Sequence, residues 1–418
     1  MARPPNNMVE RRIEMKEVRL YLVMMAFFSF AMGMSNLFIN IFIWKIDQSY
    51  LTLAIYSLMY SAVVLISFPL CSLYARKRTP MASLRVGVLL FIFTYALVMF
   101  YKEKAAYHIY EIGFWMGMGT SFFAIGMHMQ TLDSTQDDGR DKFLYIGNFL
   151  NSISGMVAPL LSGFLINYYA GMKGYYVVFG ISLFWFVLVV LISLKMKGKY
   201  ISNTSQFHDV WKKPTKEWKG MYWVTIGSGI VEGTYSTFLV TMMTYSILKS
   251  ELSLGGFATF TSLVGLLTSI LLAKISTPNR RIGLYTVGAV LICVSSIWLS
   301  IESSYMVLVI YSIFSSIGNN IINTTLDVWT YASIEKDPKY HARRLDYIII
   351  REIPLGIGRM AGIVFFLLLN TFFSKEKILS ISFGFFGVLF ILLVPLLRKI
   401  WRQPNESKPI YSSSRDFQ

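Results

Sequence analysis

Long runs of apolar residues, each followed by a short polar segment, repeat along the whole 418-residue chain. A helix needs about 20 apolar residues to cross the hydrocarbon core of a bilayer, and twelve runs have that length. None shows the two-residue alternation of a membrane β-strand, so helices are the spanning structure that the pattern predicts. The predicted spans are 19–44, 51–75, 81–101, 105–132, 143–169, 174–195, 220–248, 252–274, 281–301, 304–332, 346–371 and 377–398.

Lysine and arginine are distributed unequally between the polar segments on the two sides of the predicted membrane. With the N-terminus in the cytoplasm, 30 of the 39 lie on the cytoplasmic side and seven on the outer side, and Arg351 and Arg359 fall within span eleven. Such an excess is typical of cytoplasmic loops, so we expect both termini in the cytoplasm. The bias also accounts for the net charge of +16, because the basic side faces anionic lipid. We therefore expect no nucleic-acid partner.

The composition argues against the usual soluble classes. Hydrophobic residues make up 55% of the chain and charged residues 15%, whereas soluble domains carry about 25% charged residues. Cys71 and Cys293 are far apart and have no disulfide or metal-ligand spacing. No phosphate-binding loop, dinucleotide fingerprint or nucleophile triad is present. We expect no catalytic residues, no metal and no cofactor, and the polar, basic first 19 residues do not predict a signal peptide.

The chain also shows a weak internal repeat. The longest polar stretch separates spans six and seven, and Leu53 and Leu254, like Gly87 and Gly288, recur 201 residues apart. Equal offsets of about half the chain indicate a duplicated six-helix unit. The predicted organisation is an N-terminal bundle, a cytoplasmic linker, a C-terminal bundle and a cytoplasmic tail at 1–195, 196–219, 220–400 and 401–418.

Two short motifs resemble those of the Major Facilitator Superfamily. Segment 71–78 resembles the loop pattern G-x-L-x-D-R-x-G-R, with Leu73 and Arg76 in register and Ala75 in place of the aspartate. Segment 155–163, GMVAPLLSG, resembles the G-P-x-x-G-G stretch of many exporters of the superfamily. Small residues allow close helix packing and proline bends a helix, so this segment indicates either export or packing alone.

A longer resemblance, to the YqgE-like branch of the superfamily in Gram-positive bacteria, runs along the whole chain. It rests on MSNLFINIFIWK at 34–45, EKAA at 103–106, EGT at 232–234 and REIPLGIGR at 351–359. The last string is the most specific, because two arginines and a glutamate are costly in an apolar helix. The resemblance implies an all-α membrane protein whose twelve transmembrane helices form two pseudo-symmetric six-helix bundles.

Two charged residues lie near mid-membrane depth, where each costs about 2.5 kcal/mol or more. Glu232 is about 12 residues into span seven, and the resemblance places spans one, four, seven and ten around a central cavity. We expect Glu232 to bind a coupling proton, to be held by an arginine of span eleven, or both. Arg359 is expected to bind an anionic group of the substrate or to pair with Asp327 or Glu352.

Other polar side chains on the same spans are candidates for the transport path. Asn36 and Asn40 share one face of span one, where they would bond substrate or a neighbouring helix. Asn323 and Asp327 belong to a polar stripe in span ten. Four charged residues are expected to gate the path or form ion pairs: Arg351, Glu352, Glu111 and Arg76. Five aromatic residues are expected to line the cavity, or else to face lipid or the core: Trp115, Phe122, Phe123, Tyr235 and Trp329.

The expected function is secondary transport across a bacterial plasma membrane by alternating access. The substrate would be amphipathic, such as a lipid-linked envelope precursor with an anionic head group, moved outward by a proton-coupled exporter or flippase. A multidrug efflux permease is one alternative, and a non-transporting membrane partner of an envelope enzyme is another. We expect a monomer whose partners are the bilayer and a small-molecule or lipid substrate.

Overall fold

The computed structural model describes residues 8–134, 140–169, 171–196, 198, 216–275, 280–335 and 340–401. Its described residues form twelve long helices and contain no strand. The helices are α1 Met8–Asp47, α2 Tyr50–Lys77, α3 Pro80–Tyr101, α4 Ile109–Ser134, α5 Arg140–Tyr169, α6 Met172–Leu194, α7 at 216–248, α8 Glu251–Ile275, α9 Arg281–Ile301, α10 Tyr305–Glu335, α11 Tyr340–Phe372 and α12 Lys375–Trp401.

Each predicted span coincides with one helix, although several helices are longer than predicted. The largest difference is at α1, which begins at Met8 rather than at residue 19, because the basic N-terminal segment continues the helix beyond its apolar part. The seventh helix differs in kind, since an eight-residue π-helix, Glu232–Leu239, separates the α-helical parts Lys216–Val231 and Val240–Leu248.

Ten segments of the described chain are long and apolar enough to cross a membrane. One of them, Pro80–Gln130, contains both α3 and α4, which a short 3₁₀-helix, Lys102–His108, joins. The ten segments therefore account for eleven helices, and α7, which the π-helix divides, is the twelfth. The protein is an all-α, multi-pass membrane protein.

Within each bundle, short connections make successive helices antiparallel. We call the end of the bundle at which odd-numbered helices begin the proximal end, and the opposite end the distal end. Ser49 and Thr79 start α2 and α3 by accepting hydrogen bonds from the backbone N–H of Thr52 (3.4 Å) and Ala82 (3.1 Å). Capping satisfies amides that the first helical turn leaves unpaired, so α2 and α3 can each begin directly after a short connection.

The internal repeat seen in the sequence corresponds to equivalent packing in the two bundles. Gly87 of α3 lies against the backbone of Phe123 in α4, and Gly288 of α9 lies against the backbone of Gly318 in α10. In each bundle, the third helix therefore packs closely on the fourth through a glycine. This agreement supports the pseudo-symmetric arrangement of α1–α6 and α7–α12.

The most extensive contacts between the two bundles are along two helix pairs, α2 with α11 and α5 with α8. Segment 155–163 belongs to the second pair, because Gly163 lies against the backbone of Glu251 and Gly155 against the hydroxyl of Ser262. Its small residues therefore serve contact between bundles. The predicted linker 196–219 lies outside the described residues except for 196, 198 and 216–219, and 402–418 of the predicted tail also lies outside them.

Within the second bundle, α7 and α11 approach each other through two opposed pairs of glycines. A β-carbon on Gly229 or Gly233 would collide with the carbonyl oxygen of Leu355 or Arg359, and Gly358 and Gly362 face carbonyl oxygens of α7 in the same way. Each helix thus presents a G-x-x-x-G motif, which lets backbones pack without intervening side chains.

We predict that Gly233→Ala lowers the melting temperature in detergent micelles. Its β-carbon would force α7 away from α11, and overpacking a tight contact costs about 1–3 kcal/mol. Gly256→Ala on α8 is the matched control, since an added β-carbon there meets no atom within 4 Å. It should leave the melting temperature unchanged or slightly higher. Equal melting temperatures for the two variants would contradict the close α7–α11 contact.

Candidate functional site

The site begins at the π-helix of α7, whose first residue is Glu232. Thr237 donates its hydroxyl to the carbonyl oxygen of Glu232 (2.8 Å), and Asn40 of α1 donates its side-chain amide to the carbonyl oxygen of Thr237 (3.0 Å). The π-turn is thus held from the first bundle. Asn40 thus makes an interhelical hydrogen bond through its amide nitrogen, whereas its Oδ1 has no hydrogen-bond partner among the described residues. π-Turns within α-helices are often found at functional sites.

The glycine contact between α7 and α11 brings Glu232 to Arg359. The Arg359 Nη2 lies 2.8 Å from Glu232 Oε1, and its Nη1 lies 3.5 Å from Glu352 Oε2, two turns earlier on α11. The Glu232 side chain is 47% exposed, whereas those of Arg359 and Glu352 are 15% and 13% exposed. The carboxylate of Glu232 is therefore on the wall of a cavity, with its cation buried behind it.

We call Glu232, Arg359 and Glu352 the triad. Its net charge weighs against the expectation that Arg359 binds an anionic group of the substrate. Two carboxylates on one guanidinium give a net charge of −1 when all three are ionised, and both terminal nitrogens of Arg359 face carboxylate oxygens. An anionic head group would meet excess negative charge there. The geometry instead favours the ion-pair alternative for Arg359, with Glu232 and Glu352 as its partners.

A second ion pair lies closer to the proximal end. Arg351 Nη2 is 3.0 Å from Asp327 Oδ1, joining α11 to α10. His128 of α4 lies within electrostatic reach of both charges, so the first bundle also contributes to this cluster. The sequence analysis expects Arg351 to gate the path or form an ion pair, and the structure places it beside Asp327.

Two cavities adjoin these groups. The first, of about 460 Å³, has described lining residues from α7 and α9–α12, and Glu232, Asp327 and Arg351 are on its wall. The second, of about 540 Å³, lies between the bundles, among α5, α8 and α10. Asn319, Asn323 and Asp327 of α10 line both, so the two cavities adjoin along this helix.

The expected aromatic wall is absent from these two cavities. Tyr235 is fully buried in the second bundle, where its hydroxyl lies 2.6 Å from Ser296 Oγ and 2.9 Å from the Tyr311 hydroxyl. Phe123 stacks on Phe28 in the core of the first bundle, with ring centroids 3.7 Å apart. The lining of the two cavities includes none of the five aromatic residues proposed from sequence. The sequence could not decide this, because α-helical periodicity alone does not say which face of a span points inward.

An ion pair joins the two bundles at the distal end. Lys45 of α1 pairs with Glu251 of α8, and the same carboxylate oxygen accepts hydrogen bonds from Tyr175 (2.8 Å) and Tyr245 (3.1 Å). The Lys45 ammonium also lies 5.6 Å and 5.9 Å from the centroids of the two tyrosine rings. We call these four residues the distal lock.

At the proximal end, Arg76 of α2 pairs with Asp346 of α11, whose side chain is fully buried. This pair, the proximal lock, gives Arg76 a partner in the opposite bundle. By contrast, Glu111 accepts hydrogen bonds from Tyr101 (2.5 Å) and His108 (3.3 Å) of its own bundle. Asn36 is exposed on α1 and belongs to the lining of neither cavity.

Comparison with known proteins identifies the family. The model of the Major Facilitator Superfamily matches residues 112–342. The chain belongs to the Major Facilitator Superfamily. Bacillus subtilis (strain 168) has an uncharacterized protein, YqgE, that is 26% identical over 363 residues, which is 86% of this chain and 84% of that protein.

Solved transporters of the superfamily share the fold. The human organic anion transporter MFSD10 has a TM-score of 0.65 at 12% identity and covers 94% of this chain and all of its own. The nucleoside transporter NupG has a TM-score of 0.68 at 11% identity, covering 93% and 100%. At such identities the likeness concerns the fold alone, and together with the family it makes the chain a membrane transporter.

Sequence reasoning missed both partners that complete the locks and the glycines that position the triad. Asp346 stands at the first position of predicted span eleven, and Glu251 immediately before span eight, so both resemble ordinary charges at helix ends. The G-x-x-x-G motifs at 229–233 and 358–362 could have predicted the close contact of α7 with α11. The first motif contains Glu232 and the second contains Arg359. Among the described residues, no group of His, Cys, Asp or Glu could hold a metal ion.

We predict that Arg359→Met destabilises the protein more than Glu232→Gln does. Loss of the arginine leaves Glu352 buried and unpaired, and breaking a buried ion pair costs about 3–5 kcal/mol. Glu232→Gln keeps the Arg359–Glu352 pair and changes a half-exposed group. Melting temperatures in detergent would test this order, with the exposed Lys377→Met as the control for removing a cation. A less stable Glu232→Gln variant would contradict the structural role of Arg359.

Proposed function

We propose that this member of the superfamily is a proton-coupled secondary transporter that works by alternating access. The observation that carries the proposal is the Glu232–Arg359 pair, in which the exposed carboxylate faces a cavity and the cation is buried. A proton arriving through the cavity meets Glu232 first. Protonation removes one charge of the pair, while Glu352 still balances Arg359.

The charge of the triad is what a coupling proton would change. With Glu232 ionised the triad carries −1, and with Glu232 protonated it is neutral. Closing a cavity around a net charge is costly in a low-dielectric membrane interior, so the proton favours closure of the site. Tyr60 of α2 lies within electrostatic reach of Arg359, Glu232 and Glu352, so the triad adjoins the opposite bundle.

The two locks supply the alternation. Both connect opposite bundles, one at each end, so opening either end requires its own ion pair to separate. Rocking of the bundles would break the distal lock in one state and the proximal lock in the other. Gly163 and Gly255, which pack the distal parts of α5 and α8 together, provide a close contact about which this rocking can occur.

The distribution of charge supports an orientation for the transporter. The proximal ends carry most of the Lys and Arg residues, so we place the proximal end and both termini in the cytoplasm. The relative from a Gram-positive bacterium supports a bacterial plasma membrane. We further propose outward transport, which rests on the resemblance of segment 155–163 to the exporter stretch.

The described cavities favour a neutral substrate over an anionic one. Arg351 is the single Lys or Arg on their walls and is already paired with Asp327. Among the described lining residues only two are aromatic, Tyr285 and Phe390, both in the first cavity. This small number also weighs against a pocket for flat, apolar drugs. We therefore revise the anionic head group expected from sequence to a neutral polar one.

We predict that Glu232→Gln abolishes the response of the bundles to pH. Spin labels at exposed Lys104 and Ser303, on distal ends of opposite bundles, should show a distance distribution that shifts when the wild-type protein in nanodiscs is acidified. Glu232→Gln mimics the protonated state, so it should give the acidic distribution at every pH. Glu17→Gln, in the proximal part of α1, is the control and should respond like wild type. A full pH shift in Glu232→Gln would refute the coupling role.

We predict that Lys45→Gln widens the distal end. Loss of the ammonium leaves Glu251 without its cation, so the distal lock weakens and the Lys104–Ser303 distance increases in a larger fraction of molecules. Lys249→Gln, an exposed lysine one turn from Tyr245, is the charge-matched control and should leave the distribution unchanged. Identical distributions for the two variants would mean that the Lys45–Glu251 pair does not hold the bundles together.

A further inference from the structure

The cavity between the bundles has an unusual lining for a membrane interior. Eleven of its fourteen lining residues are polar, and the other three are two glycines and Leu266. The polar groups come from three helices, with Asn151 on α5, Ser262 on α8 and Asn323 on α10 as examples. Polar side chains at membrane depth are costly unless they meet water, protein or ligand. Asn151 and Ser262 already form hydrogen bonds within the protein, so the side chains that lack such a partner are the ones that indicate a polar occupant.

Two amides at the junction of the cavities are available to that occupant. Asn319 and Asn323 are one helical turn apart on α10 and line both cavities. Among the residues that the structure describes, neither side chain has a hydrogen-bond partner within the protein. Asn320 differs, because it accepts from Ser269 (2.9 Å) and donates to the Ser316 carbonyl oxygen (3.1 Å). Asn320 thus shapes the wall, while its two neighbours present free donors and acceptors.

Two hydroxyl groups in the adjoining first cavity are also unsatisfied. The oxygens of Ser228 and Tyr285 are buried and have no hydrogen-bond partner in the described protein, and both residues line the cavity. A buried polar atom without a partner costs about 1–3 kcal/mol. Asn319 and Asn323 therefore present free donors and acceptors to both cavities from α10, and unsatisfied hydroxyl groups of α7 and α9 are buried in the wall of the first.

The chemistry of these groups selects among ligand classes. Amides and hydroxyls each donate and accept hydrogen bonds, which matches the hydroxyl groups of a polyol. An anion would meet no unpaired cation on these walls, the single excess negative charge of the triad is the one that the proposed coupling proton neutralises, and a planar base would lack an aromatic face in the cavity between the bundles. Both volumes, about 460 and 540 Å³, lie within the range of small-molecule sites, about 300–1,000 Å³.

We propose that the two cavities that adjoin along α10 bind a neutral polyhydroxylated group, with Asn319 and Asn323 as its principal hydrogen-bonding residues. This group is either a free saccharide or the glycosyl head of a lipid. This inference rests on the proposed transport function and names its substrate class. A free saccharide and a glycolipid head group present the same hydroxyls, so the structure assigns the shared chemistry and the experiment separates the two sources.

The test measures the melting temperature of the protein in phosphatidylcholine nanodiscs with defined probes. The soluble probes are glucose, N-acetylglucosamine and maltose at 10 mM, and the lipid probe is monoglucosyl diacylglycerol within the nanodisc. Glucose 6-phosphate and tetraphenylphosphonium represent anionic and apolar cationic ligands. Binding to the folded state alone should raise the melting temperature by about 2 °C or more. Stabilisation by a soluble sugar indicates a free saccharide, and stabilisation by the glycolipid alone indicates a head group.

Variants connect the effect to the site. Asn319→Leu and Asn323→Leu should lose the stabilisation, and Asn167→Leu, an exposed asparagine at the distal end of α5, should keep it. Asn323 is exposed to the cavity, so its variant tests the proposal even if Asn319→Leu does not fold. The proposal is overturned if no neutral sugar or glycolipid stabilises the wild type, if both leucine variants keep the effect, or if a charged probe stabilises more strongly. If the saccharide proposal fails, the spin-label distances can still show a pH response that depends on Glu232. The two experiments therefore test the substrate class and the proton coupling separately.

Discussion

A buried guanidinium in a membrane must be paired, and the arrangement of the second bundle follows from how Arg359 meets that requirement. Its partners come from two helices, Glu352 on α11 and Glu232 on α7. The pairing across helices depends on glycines, because the α7 and α11 backbones touch at Gly229, Gly233, Gly358 and Gly362. One electrostatic constraint therefore fixes the position of the π-turn, the wall of the first cavity and the site at which a proton can act.

The locks extend the same principle to the contact between bundles. Each lock places opposite charges on opposite bundles, Lys45 with Glu251 at the distal end and Arg76 with Asp346 at the proximal end. Each end therefore opens only when its own ion pair separates. The superfamily loop pattern has an aspartate where this chain has Ala75, and a buried acid on α11, Asp346, partners Arg76 instead. Between the locks, α10 carries amides that are free for a ligand. Alternating access requires ion pairs that close each end in turn and polar groups between the ends that remain available to the substrate.

Much of the fold was predictable, because spans of about 20 apolar residues have few alternatives in a bilayer. The charges at membrane depth were also found, since each is conspicuous in an apolar run, as Glu232 and Arg359 show. Their partners were harder to predict, because pairing depends on helix rotation and on contacts between distant segments. Tyr235 illustrates the limit: its hydroxyl is satisfied by Ser296 and Tyr311 inside the bundle, and no local pattern distinguishes that position from a cavity wall.

We propose that Glu232 exchanges a proton while Arg359 stays charged. Infrared difference spectroscopy of the protein in nanodiscs, between alkaline and acidic pH, observes that proton directly through the carbonyl stretch of a protonated carboxyl group. The account predicts a band that appears on acidification of the wild-type protein and is missing from Glu232→Gln but present in Glu352→Gln. An unchanged band in Glu232→Gln would show that another carboxyl group takes the proton and would contradict the account.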